Sequence, residues 1–254
     1  MVSVRMMKGA AEMAYQMTFE RYELKYRLNR QQKAQILQSM KDYMKLDRYG
    51  RVTIRNIYFD TDTYRLIRHS LESPAYKEKL RVRSYRPASG DAPVFVELKK
   101  KYQHVVYKRR LECPESEVRK YFYHGKPLPD SSQIGNEIRY FWNYYQTLRP
   151  VVFLSYEREA YYALDGSDFR VTFDENILYR ENDLTLGSGV YGTPVLEKDQ
   201  TLMELKISGG IPLWMSAALT RNHLYKTSFS KYGTAYQKMQ AAKKERVQGE
   251  IQYA

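Results

Sequence analysis

The sequence predicts an α+β protein built around an antiparallel sheet, and three observations carry that reading. Segment after segment alternates charged with apolar residues at the period of two that a strand imposes. Helical spacing, by contrast, is confined to a few separate stretches. No Gly/Ser- or Pro-rich linker and no internal repeat divides the 254 residues, and an apolar content of 43% is enough for one sizeable core.

Taken along the chain, the first strand signal is Glu23 and Lys25 around Leu24. Asn29 with Gln32 three residues later is a capping-box signature, and Ile36, Leu37, Met40 and Met44 then recur at helical spacing. A short helix is expected over 62–71. In 79–85, Arg81 and Arg83 share one face and Leu80 and Val82 the other. In 94–99, Phe95, Glu97 and Lys99 lie opposite Val94, Val96 and Leu98. Lys99 is chosen over its neighbours by alternation with Glu97, and Lys101 would join that face if the strand continued. Lys108 and Arg110 follow Val105 and Val106, and a helix over 114–123 runs into Gly125. Ile134, Ile138, Phe141, Trp142, Tyr145 and Leu148 make an amphipathic helix that ends before Pro150. The pattern of charged strands resumes with Tyr156 and Arg158, with Arg170, Thr172 and Asp174, and with Glu204, Lys206 and Ser208. Helices close the chain at 212–222, after Pro212, and at 231–242, with Ser230 as cap. Residues 1–17 and 243–254 offer little to bury and are expected to be flexible, which leaves 18–242 as the domain.

The chain holds 42 Lys and Arg against 29 Asp and Glu, a formal charge of +13, which points to an anionic partner: nucleic acid, an anionic membrane or a polyphosphorylated small molecule. No apolar run approaches the roughly 20 residues of a membrane span, and no secretory signal opens the chain, so the expected place is the cytoplasm. Cys113 stands alone and the four histidines are scattered, so a bound metal must rest on carboxylates. No nucleic-acid motif is recognisable, and the 25 tyrosines fall at strand and helix spacings that suit a core. For any one strand, a charged face is the solvated outside of a sheet. The recurrence of Lys or Arg on every such face, often as Glu-x-Lys, favours a sheet closed into a barrel with these faces inside. Charges enclosed in this way need partners. A polyanion with a divalent cation satisfies both signs, because Lys and Arg pair with phosphate oxygens and carboxylates hold Mg²⁺ or Mn²⁺.

The segments ELKY at 23–26, NIYFDTDTYRLIRHSL at 56–71, KLRVRSY at 79–85, FVELKKK at 95–101, SYERE at 155–159, MELKI at 203–207 and TSFSKYG at 227–233 come in a specific order. As an ordered set they resemble the VTC-type polyphosphate polymerase domains of the triphosphate tunnel metalloenzyme superfamily, over residues 18–240. The resemblance implies an eight-stranded antiparallel β-barrel tunnel with flanking helices. It also implies transfer of the ATP γ-phosphate to a growing polyphosphate chain with release of ADP. Under it, Lys25, Arg81, Arg83 and Arg158 correspond to catalytic tunnel positions. Lys99, Lys108, Lys206, Ser230 and Lys231 correspond to positions that hold the phosphates, and Glu204 to the acid that holds Mn²⁺ or Mg²⁺. Glu97, Glu23 and Asp174 are next in line for the metal.

One departure bears on the reaction. The wider superfamily often opens with Glu-x-Glu-x-Lys, whereas Arg21 stands at the first of these places here and only Glu23 is acidic. That departure favours the polymerase over an inorganic triphosphatase, which is the alternative on the same fold; a non-catalytic polyphosphate- or nucleotide-binding module is a further one. The sequence shows no inositol-phosphate sensing domain and no membrane segment, so regulation and attachment to the inner face of the membrane are expected from a partner membrane protein.

Overall fold

The computed structural model describes residues 18–19, 22–103, 105–128 and 130–252. Eight long strands form the body of one antiparallel sheet: β2 (Tyr22–Leu28), β4 (Val52–Asp60), β5 (Tyr76–Ser84), β6 (Pro93–Tyr102), β7 (Val105–Pro114), β8 (Arg149–Ala163), β9 (Arg170–Arg180) and β11 (Thr201–Ile207). Three short ones, β1 (Thr18–Phe19), β3 (Met44–Leu46) and β10 (Thr193–Pro194), attach to it. The ladder runs β1-β7-β6-β5-β4-β8-β9-β11-β2, with β3 on β8 and β10 on β9.

Two facts show that this sheet is rolled. Consecutive strands β1 and β2 occupy its opposite edges, yet the chain between Phe19 and Tyr22 can span at most about 11 Å. Lys99 Nζ on β6 also lies 3.0 Å from Glu23 Oε2 on β2. Those strands are six steps apart in the ladder, which in a flat sheet would be ~29 Å. The result is the tunnel expected from the sequence, but its seam has no backbone ladder between β2 and β7 among the described residues. The chain itself and side chains across the interior close it.

The apolar faces of the alternating strands point outward, under helices. α3 (Glu115–His124) and α4 (Gln133–Tyr145) cover Leu80, Val82, Val94, Val96 and Leu98. On the other half α1 (Arg30–Met40) and α5 (Leu213–Arg221) cover Val171, Phe173, Met203 and Leu205. Each such side chain contributes roughly 1.5–3 kcal/mol when fully buried, so the two helical layers fix which face of every strand turns inward. The last helix, α6 (Lys231–Gln252), is placed differently. Its Tyr232, Ala235 and Met239 pack against Ile54, Tyr58, Tyr156 and Leu202, which belong to the inner face.

The capping box of α1 is present, with Asn29 and Gln32 bonded reciprocally. α1 stops at Met40 and Met44 opens β3, although both methionines enter the same core cluster. α3 ends at Gly125, whose φ of 63° suits the left-handed cap. The closing helix, expected over 231–242, runs on to Gln252 because the added stretch is rich in Lys, Glu, Arg and Gln, all good helix formers. β4 is absent from the charged-strand pattern because its inward residues, Val52, Ile54, Asn56 and Tyr58, carry no charge. No helix among the described residues is long and apolar enough to cross a membrane.

Asp60, at the end of β4, ties three elements together. Its Oδ1 accepts from the amides of Thr61 and Leu66, and its Oδ2 from the amide of Ile67 and the hydroxyl of Tyr232. It therefore caps α2 (Arg65–Leu71) and anchors α6 from a position with no solvent exposure. Replacement by Ala strands three buried amides and a phenol, and Asp60→Ala is expected to lower stability by about 3 kcal/mol. Urea unfolding of the variant against the parent measures it.

Candidate functional site: the charged tunnel wall

In an antiparallel ladder directly opposed residues share a face. Lys25 opposes Glu204, and Glu204 opposes Thr172. Arg158 opposes Asp174, Arg83 opposes Asn56, and Tyr58 opposes Arg81. Arg81 opposes Glu97, which opposes Arg110, while Lys99 lies between Lys79 and Lys108. All the strand residues expected at the site therefore line one surface, the inside of the tunnel. β6 continues to Tyr102, so Lys101 joins this face opposite Lys77.

Two anionic centres organise the wall. Glu97 is 1% exposed. It meets Arg81 at 2.7 Å, Lys108 at 2.8 Å, the Nε of Arg110 at 2.8 Å and Arg83 at 3.7 Å. Burial alone would raise its pKa, but these four cations hold it well below the ordinary carboxylate range. With its oxygens so occupied, Glu97 serves as the counter-ion that holds the arginines. Phenols and an amide complete their placement. Arg81 donates to Tyr58 Oη at 2.9 Å, and Arg83 donates to Asn56 Oδ1 at 2.9 Å and to Tyr156 Oη at 3.0 Å.

The second centre joins Asp174 and Glu204. Arg158 grips Asp174 with two hydrogen bonds of 2.5 and 2.6 Å and reaches Glu204 at 3.6 Å. Lys231, at the start of α6, places its Nζ 2.5 Å from Asp174 and 3.1 Å from Glu204. Lys206 lies 3.7 Å from Glu204. Burial would raise both carboxylates, yet Arg158 and Lys231 among others hold both low, and both acids in turn hold Lys231 above its ordinary value despite burial. Between the two centres Lys25 donates to Phe229 O at 2.6 Å, and Lys79 donates to Ser230 Oγ at 3.0 Å. Ser230 also caps α6 through the Gly233 amide.

The wall has more cations than these acids neutralise. Burial, then the neighbouring charges of Lys25, Lys99, Lys77 and Arg81, push Lys79 down to about 7. Burial likewise lowers Lys108 and Lys206 to about 8, and lowers Lys25. Glu23 is held at about 2 because Lys99 and Lys206 outweigh its burial and the nearby Glu204. Such a surface carries more positive than negative charge, and an anion set against it would raise its lysines toward full protonation.

A scan against family models matches the VTC domain over residues 20–240. The chain belongs to the VTC domain family. Solved structures share the tunnel fold. One is a candidate adenylate cyclase of Bacillus halodurans, 13% identical, with a TM-score of 0.53 over 84% of this chain and 95% of that one. Another is a candidate adenylyl cyclase of Hippeastrum with a dominant triphosphatase activity, 15% identical, with a TM-score of 0.50 over 83% and 92%. A comparison with curated proteins gives no match. These structures show the fold that the chain shares with them, while a divalent metal is what the resemblance of its ordered motifs implies.

The second centre suits such an ion. Among the described residues no three Asp, Glu, His or Cys side chains cluster as a complete metal cage. Glu204 and Asp174 nevertheless share one cation, Lys231. The buried Thr172 hydroxyl beside Glu204 has no hydrogen-bond partner. Both oxygens of Asp174 are taken by Arg158 and Lys231, whereas Glu204 is held at longer distances, so Glu204 and the free hydroxyl are the donors that fit a hard ion taking its other ligands from phosphate and water.

The sequence reading omitted Lys79, Arg110, Asn56 and Tyr58 from the site. Lys79 and Arg110 carried a usable signal, since each alternates in register with a chosen residue; Asn56 and Tyr58 are uncharged and did not. Arg21 lies outside the described residues.

The depressed lysines set a pH dependence. An unfolded lysine titrates near ~10.4, so between pH 7 and 8.5 the unfolded chain binds more protons than the folded one, and stability rises with pH. The ligand-free protein is expected to melt at a higher temperature at pH 8.5 than at pH 7. Lys79→Met is expected to raise the melting temperature at pH 7 and to flatten the slope, and calorimetry across that window checks both.

Proposed function

We propose that this VTC domain is a polyphosphate polymerase, transferring the ATP γ-phosphate to a growing polyphosphate chain and releasing ADP. The observation that carries the reading is the cation surplus along a continuous wall, with buried lysines whose protonated form an extended polyanion would stabilise. Phosphoryl transfer needs positioning and charge stabilisation more than covalent chemistry. Arg81, Arg83, Lys25 and Arg158 are assigned to the transferring phosphate. The guanidinium planes of the three arginines are preset by Glu97, Tyr58, Asn56, Tyr156 and Asp174. Lys99, Lys108, Lys206, Ser230 and Lys231 are assigned to the flanking phosphates. At an effective dielectric of ~20 a charge pair at about 4 Å is worth roughly 4 kcal/mol before desolvation, so several such contacts suffice for a tetra-anion.

Glu204, with Thr172 beside it, would hold Mn²⁺ or Mg²⁺, which supplies charge neutralisation of the phosphates when bound. The acceptor is a phosphate oxygen already ionised at neutral pH, so the reaction needs no general base. ATP and polyphosphate are the proposed partners. The tunnel domain is taken as 18–242, working in the cytoplasm with membrane attachment through a partner chain.

Purified protein with ATP and Mn²⁺ or Mg²⁺ is expected to yield ADP and a polyphosphate ladder, read by gel and phosphorus NMR. Stoichiometric orthophosphate without polymer would make the chain a triphosphatase instead, and tight binding without turnover a binding module. Arg81→Ala and Arg83→Ala are each expected to lose on the order of 10² to 10³ in turnover while the fold survives, as checked by initial rates and circular dichroism. Glu204→Gln is expected to lose activity together with its dependence on Mn²⁺ or Mg²⁺, because a neutral amide is a poor ligand for a hard cation. Activity against metal concentration tests this, and a curve unchanged from the parent's would move the ion elsewhere. Lys231→Ala is expected to shorten the products more than it slows the first transfer, measured as product length against ADP released.

A further inference from the structure

The charged wall ends differently at its two mouths. On β6 the inward residues run Phe95, Glu97, Lys99 and Lys101, which sets Phe95 and Lys101 ~20 Å apart along the strand. At the Lys101 end the lining is lysine: Lys77 opposes Lys101, Lys79 opposes Lys99 one step further in, and Glu23 is paired with Lys99 at 3.0 Å. At the other end Phe95 opposes Arg83 on β5 and Glu112 on β7. Tyr85, the residue after β5, turns toward the same place. Its ring meets Phe95 edge-on with centroids 5.6 Å apart, and its Oη accepts from Arg110 at 2.9 Å. The Arg110 guanidinium lies 4.5 Å from the centre of the Phe95 ring and 5.9 Å from that of Tyr85.

This cluster is fixed in place yet open to solvent. Glu97 holds Arg110 through its Nε and a second nitrogen, and Tyr85 holds it from the side, so the plane of the guanidinium is set. Tyr85 nevertheless keeps 38% of its surface exposed and the Arg110 side chain 35%. Neither Tyr85 nor Phe95 enters the apolar clusters that pack the outer faces and α6. An aromatic ring and a guanidinium, both accessible at the end of a cationic wall, offer flat faces on which a heterocyclic base stacks. Lysines at the opposite mouth are point charges, which suit a phosphate chain and give a base nothing to lie against. Glu112 beside Phe95 places a negative charge where further phosphate would be repelled.

We propose that Tyr85 and Arg110, backed by Phe95, form the nucleobase subsite of this tunnel; the assignment rests on the ATP-using function proposed above. The purine lies against the open sides of the Tyr85 ring and the Arg110 guanidinium, and the triphosphate runs inward past Arg83 and Arg81. The tunnel thereby has a direction: nucleotide at the aromatic mouth, polyphosphate at the mouth lined by Lys77 and Lys101.

Calorimetric titrations in EDTA with ATP, CTP and tripolyphosphate test it on the parent, Tyr85→Leu and Tyr85→Phe. The parent is expected to bind ATP more tightly than CTP, because a purine offers more stacking area than a pyrimidine. Tyr85→Leu is expected to weaken ATP about fivefold or more, to erase most of the preference over CTP, and to change tripolyphosphate, which has no base, by less than about twofold. Tyr85→Phe keeps the ring and is expected to retain most of the ATP affinity, which separates stacking from the loss of the hydroxyl that steadies Arg110. Lys77→Ala combined with Lys101→Ala is expected to do the reverse, weakening long-chain polyphosphate more than ATP. Equal weakening of ATP and tripolyphosphate in Tyr85→Leu, or no weakening of either, overturns the base subsite while leaving phosphate binding by the tunnel, and the function built on it, in place. A parent that binds neither ligand overturns both.

Discussion

Enclosing like charges is the constraint on which the rest of this molecule depends. A rolled sheet whose inner face carries Lys25, Lys79, Arg81, Arg83, Lys99, Lys108, Arg110, Arg158 and Lys206 would repel itself apart without internal counter-ions. Glu97 and the Asp174–Glu204 pair meet that need from buried positions, each among several cations. The compensation is partial, and its remainder appears as lysines that burial and crowding strip of part of their charge. Under the proposed function, the charge that remains uncompensated in the free protein is what a polyphosphate would balance.

Holding such a wall in shape falls to the apolar layers outside it and to α6 inside it. The outer helices bury the opposite face of β2, β5, β6, β9 and β11, which prevents a slip in register from turning their cations outward. Through Asp60, Tyr232 and the core around Tyr58, α6 is fixed to β4 and α2, so the segment bearing Ser230 and Lys231 is presented to the wall from a rigid base. Lys231 then sits between two carboxylates contributed by β9 and β11. Elements remote in sequence are thereby tied to one electrostatic centre.

Much of this was legible in the chain. Period-two alternation is a local property, and it assigned Arg81, Arg83, Glu97, Lys99, Lys108, Arg158 and Glu204 to one face of their strands without knowledge of any partner. The capping box at Asn29 and the cap at Ser230 were equally local, because the groups involved lie three residues apart. β4 escaped because its inward residues are uncharged, and with it went Asn56 and Tyr58, which hold the arginines through contacts 27 and 23 residues away.

By itself, then, the sequence determined the strand faces, the helix starts, the cationic character of the lining and, through its ordered motifs, the family. Tertiary structure alone decided which acid does what. Glu97 and Glu204 look alike as Glu-x-Lys on a strand, yet Glu97 ends among four cations from the two strands beside it while Glu204 faces Asp174 across Lys231. The difference arises because the rolling of the sheet and the entry of α6 set the neighbours of each carboxylate. Those distances are fixed by packing between segments far apart in the chain, which no local spacing encodes.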